Sequence, residues 1–159
     1  MAIKFTPSKR ELTIQLISAL LIALLAYAAL SKLMDYGAAR RAMLVQVFER
    51  DTALVLTWLV PATELLIVCL LLYPPTRGWG LWAATLLMAA FSIYLLLAHN
   101  GSFAKVPCSC GGILGKMDYQ VHLVFNLCFV ALGSWGIFLS HRHTKTKIPL
   151  HPKERRPEK

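Results

Sequence analysis

Residues 53–73 read ALVLTWLVPATELLIVCLLLY. Wound as a helix, this segment is apolar on every side rather than along one stripe, and it matches the roughly 20 residues needed to cross a hydrocarbon layer about 30 Å thick. It reads as a membrane span. Three other stretches obey the same rule: Leu12 to Leu30, Trp79 to Ala98 and Tyr119 to Ser140.

The whole chain agrees with that reading. Of 159 residues, 57% are hydrophobic and only 16% charged, and the mean hydropathy is +0.55, far from the balance of a soluble domain. The fold class expected is therefore all-α, a polytopic antiparallel bundle of four transmembrane helices over about residues 12–34, 53–73, 79–98 and 119–140. These make one membrane domain, 1–140, followed by a basic tail, 141–159, expected to be disordered. The first stretch follows Lys4, Lys9 and Arg10 as a signal peptide would, but it is too long for an ordinary apolar core of such a peptide, and Ser31-Lys32-Leu33-Met34-Asp35 offers no small-residue cleavage site. We expect it to stay as a helix.

A net charge of +9 would suggest nucleic acid in a soluble protein, but here the charges are distributed by topology, and no nucleic-acid partner is expected. With four spans both termini share a side, and the charge-rich tail and N-terminus place that side in the cytoplasm of a bacterial inner membrane. Eleven Lys/Arg then fall inside and six outside, the outer ones being Lys32, Arg40, Arg41, Arg50, Lys105 and Lys116. In the first outer loop, Met43 and Val47, and Leu44 and Phe48, recur at a spacing of four beside Arg40 and Arg41. That suits a short amphipathic helix on the outer surface, with a plain solvated loop the alternative. Pro74-Pro75-Thr76-Arg77-Gly78 makes a tight inner connection between the second and third spans.

The second outer loop, His99 to Asp118, carries Pro107-Cys108-Ser109-Cys110-Gly111-Gly112. Side chains two apart in an extended strand stand at the limit of disulfide reach, so a turn must draw Cys108 and Cys110 together, and the flanking proline and glycines supply one. A bond closing so small a ring is strained and easily reduced, and Lys105 and Lys116 favour the attacking thiolate. Facing an oxidising compartment, this pair reads as an exchanging disulfide. Two other readings are open: a static disulfide, or a zinc or copper(I) site completed by His99 and His122. Cys69 and Cys128, each alone in an apolar helix, read as small hydrophobes.

Polar residues inside the spans complete the candidate set. Glu64, one turn after Pro61, needs a partner or a proton. His122 and Asn126, four apart, share a face that either bonds a neighbouring helix or holds a quinone headgroup. Lys32 and Asp35, three apart, are expected to pair with each other, with Glu64 too deep for Lys32 to reach easily.

Ser31-Lys32-Leu33-x-Asp35, Pro61-x-x-Glu64 and Pro107-Cys-Ser-Cys-Gly-Gly112, in this order over four helices, resemble the methylamine-utilisation MauE family, within the wider DoxX-like group. The likeness covers nearly all of the chain except the basic tail. It implies a small four-helix inner-membrane protein that works with a periplasmic thioredoxin-fold partner in making or transferring disulfides, a task linked in MauE proteins to maturation of the small subunit of methylamine dehydrogenase. The arrangement is also similar to the disulfide-forming quinone reductases, though those use two outer cysteine pairs and this chain has one. The expectation is thiol-disulfide exchange through Cys108 and Cys110, with Lys32, Asp35, Glu64, His122 and Asn126 as supporting polar residues. The alternative is a non-catalytic subunit or assembly factor that anchors a soluble partner.

Overall fold

The computed structural model describes residues 8–100 and 119–146, and of His99, Tyr119 and 142–146 the backbone alone. Five α-helices run through these residues: α1 Lys9–Met34, α2 Tyr36–Leu44, α3 Arg50–Leu72, α4 Arg77–His99 and α5 Tyr119–Thr146. No strand occurs among the described residues. Four helices are long and apolar enough to cross a membrane, and α2 is the exception. The protein is thus a multi-pass membrane protein whose surroundings are a lipid bilayer.

Each end of a helix is dictated locally. Ser8 and Glu11 form a reciprocal capping box that starts α1. Asp35 ends α1 and at once caps α2, its Oδ1 accepting from the Ala38 amide at 2.9 Å. Between α3 and α4, the prolines Pro74 and Pro75 open a single 3₁₀ turn, Pro74–Thr76, and Thr76 Oγ1 donates to the Leu70 carbonyl at 2.9 Å, satisfying an orphan acceptor of the helix end. The α1–α3 connection is part helix and part irregular: α2 covers Tyr36–Leu44, and residues 45–49 carry the chain to α3.

The four long helices close into a ring in which α1 packs on α3 and α5, and α4 packs on α3 and α5. Neighbours are antiparallel. Leu21, Leu25, Ile67, Leu71, Leu81, Met88 and Ile137 fill the centre, while Leu16, Leu66, Leu86 and Val124 point outward. Outward leucines are a liability in water and the normal lipid-facing surface in a bilayer.

Two glycines allow the closest helix approaches. A Cβ on Gly80 would lie 2.9 Å from the Leu71 backbone nitrogen, and one on Gly133 would collide with Thr85 Oγ1. Apolar side chains gain little by leaving lipid for protein, so small residues that bring backbones into contact are how such helices associate.

Candidate functional site

A buried polar contact joins α1 to α3 inside the bundle. Lys32, 6% exposed, and Glu64, 1% exposed, form an ion pair in which Nζ donates to Oε1 at 2.8 Å and to Oε2 at 3.0 Å. A third donation goes to the Ala28 carbonyl at 3.1 Å. All three ammonium protons and both carboxylate oxygens are therefore engaged, which is the condition under which charge is tolerated away from water.

This corrects the expected pairing of Lys32 with Asp35 and the expectation that Glu64 lies too deep. The reason is side-chain direction. Helical side chains lean back towards their own N-terminus, so Lys32 reaches inward along α1, down to Ala28. Glu64 on the antiparallel α3 leans the opposite way, and the two meet between the depths of their backbones. Asp35 is occupied elsewhere, as the cap of α2.

Pro61, fully buried one turn before Glu64, has no amide hydrogen to give the Thr57 carbonyl. Thr57 itself is buried and bonds its hydroxyl to the Ala53 carbonyl at 2.8 Å. The Pro61 to Glu64 stretch thus sets the acidic side chain on the core face of α3.

On α5, His122 and Asn126 are buried to 1% and 3% exposure. Among the described residues, His122 Nδ1 and Asn126 Nδ2 have no hydrogen-bond partner, so within that set these atoms make no helix-to-helix bond.

Beside Lys32, a cavity of about 200 Å³ opens between α2, α3 and α4. Its walls include Met43, Phe48, Val60, Phe91 and Leu95. Tyr94 and Gln46 also line it and are hydrogen-bonded to each other, and the Phe48 and Tyr94 rings stack at 6.2 Å. Neither this cavity nor the Lys32–Glu64 partnership was legible from spacing in the sequence; the signal available was one Lys and one Glu, each alone in an apolar span.

Cys108 and Cys110 lie outside the described residues, as does the side chain of His99. Cys69 and Cys128 are free, on the exposed surfaces of α3 and α5. Among the described residues no cluster of three or more His, Cys, Asp or Glu is placed to hold a metal.

No curated protein and no solved structure matches the chain. The family described as methylamine utilisation protein MauE matches residues 10–139, all four long helices and the segment bearing Cys108 and Cys110, and the chain accordingly belongs to this family of methylamine-utilisation-associated membrane proteins.

Proposed function

We propose that the protein exchanges thiols and disulfides with a thioredoxin-fold partner on the outer side of a bacterial inner membrane, through Cys108 and Cys110. The single observation that carries this reading is the family match over residues 10–139, which takes in the cysteine pair together with the helices before and after it. Connectivity supports it as well. The α4–α5 connection, where the pair resides, leaves the bundle at the same end as α2, because neighbouring helices alternate in direction. Both termini then lie at the opposite end, in the cytoplasm by the balance of basic residues.

The chemistry is a closed exchange. One thiolate attacks a sulfur of the partner's disulfide and displaces the other as thiolate, giving a mixed disulfide; the second cysteine attacks its neighbour's sulfur and releases the partner as a dithiol. One disulfide is broken and one formed, with no net change in electrons. The reverse sequence carries oxidation to the partner. Lys32 and Glu64 serve by fixing α1 against α3, and so hold the outer ends of the bundle beneath the loop.

Trapping tests this directly. In Cys108→Ser or Cys110→Ser the resolving step is lost, and a covalent adduct with a thioredoxin-fold protein is expected on non-reducing gels, dissolved by dithiothreitol. Absence of an adduct from both variants, with complete alkylation of both wild-type thiols in intact cells, contradicts the proposal.

A further inference from the structure

In the cavity beside Lys32 the polar groups are engaged with one another, Lys32 with Glu64 and Tyr94 with Gln46. A second hollow, at the opposite end of the bundle, differs in chemistry. It measures about 360 Å³ and lies between the Pro74–Thr76 turn, the start of α4 and the end of α5. Pro74, Pro75 and Ile137 give it carbon walls, whereas Trp79, Trp82, Ser140 and His141 each bring a hydrogen-bond donor. Among the described residues no hydrogen bond engages any of these four side chains. Trp82 and His141 make an edge-to-face contact instead, with ring centroids 6.2 Å apart.

Depth and charge say what such a hollow takes. Trp79, three residues from Trp82 on α4, is 75% exposed, and indole rings at the end of a span sit at the level of the lipid head groups. The segments that come together here are 8–13, 73–82 and 134–146, joined by the bond from Arg10 to the Leu139 carbonyl and by the approach of Gly78 to Ser140. They hold Lys9, Arg10, Arg77, Arg142 and Lys145 against one acid, Glu11, which is engaged in the capping box of α1. Arg77 precedes Gly78 of the wall; its Nε donates to the Leu71 carbonyl at 3.3 Å, and its two terminal nitrogens have no partner among the described residues. An anion is therefore favoured over a cation. A bare phosphate would use the donors and leave the two prolines and Ile137 uncovered, whereas a phosphodiester carrying a glycerol uses both kinds of wall. The space suffices, since 360 Å³ is many times the ~30 Å³ share of one water molecule.

We infer that this hollow binds the head group of an anionic phospholipid from the leaflet bordering the ends of α1 and α5, with the phosphate on the wall of Trp79, Trp82, Ser140 and His141 and the glycerol carbons on Pro74, Pro75 and Ile137. A lipid held there ties the start of α4 to the end of α5. No covalent bond changes, and the site is independent of the exchange reaction proposed above.

The test is native mass spectrometry of the full chain, delipidated in detergent and titrated with dioleoyl phosphatidylglycerol. One saturating lipid adduct is expected, with dioleoyl phosphatidylcholine about tenfold weaker and a large excess of inorganic phosphate without effect. Gly78→Leu fills the hollow from the α4 side. Its Cβ meets only Ser140 Oγ, at the ordinary contact distance of 3.9 Å, so the melting midpoint should hold while the adduct falls about tenfold. Ser140→Ala paired with His141→Ala removes two donors without adding bulk, and should weaken phosphatidylglycerol more than phosphatidylcholine. Equal binding of the two lipids, displacement by inorganic phosphate, or an adduct that survives both Gly78→Leu and the Ser140→Ala, His141→Ala pair overturns the inference. That last result would assign the lipid to the basic residues at large instead of to this hollow.

Discussion

Lys32 and Glu64, 32 residues apart in the chain, meet at 2.8 Å inside a membrane bundle and leave no proton or carboxylate oxygen of the pair without a partner. Removing one member strands a buried charge, a change that costs about 3–5 kcal/mol. Lys32→Met and Glu64→Leu should each lower the unfolding midpoint in detergent sharply. The double replacement should recover most of the loss, because a well-packed apolar pair of similar volume is close to neutral. Equal loss in single and double variants would show that the pair is not the tie between α1 and α3.

The contact of Gly133 with Thr85 gives a second test. A methyl at 133 runs into the Thr85 hydroxyl, which is itself held by the Leu81 carbonyl at 2.7 Å. Gly133→Ala should destabilise by about 1–3 kcal/mol, the usual range for overpacking. Adding Thr85→Ala should restore stability, a coupling readable by a double-mutant cycle.

At the junction of α1 and α2, Asp35→Ala removes the cap of α2 and should cost about 1 kcal/mol. The loss is local. Faster hydrogen exchange at Ala38 and its neighbours, with α1 and α3 protected as before, is the expected signature.

Asn126 offers the opposite sign. Its amide nitrogen is buried and has no partner among the described residues, so Asn126→Leu is expected to remove a desolvation penalty and leave the protein as stable or more stable by about 1 kcal/mol. A clear loss of stability on this change would mean that the amide has a partner in the membrane.

Much of this fold is readable from composition. Four spans of about 20 apolar residues leave few arrangements open, because backbone polar groups in lipid must be satisfied within helices, and the short Pro74–Thr76 turn fixes α3 and α4 as antiparallel neighbours. The site was legible only as a set of residues. Glu64, Lys32, His122 and Asn126 stand out as polar side chains in apolar runs, but which of them meet depends on helix depth and side-chain lean, and neither has a local signature. Asp35 shows the limit well: three residues from Lys32 it looks like a partner, and its geometry makes it a cap.

The central claim is that Cys108 and Cys110 cycle between thiol and disulfide, and the most direct measurement is their redox state in native membranes. Free thiols are blocked at once with light N-ethylmaleimide, disulfides are reduced, and the new thiols are labelled with the heavy form before mass spectrometry. A substantial heavy fraction confined to Cys108 and Cys110, changing when the thioredoxin-fold partner is removed, with Cys69 and Cys128 fully light, is the predicted result. A pair that is fully light, or fully heavy and indifferent to the partner, would contradict exchange.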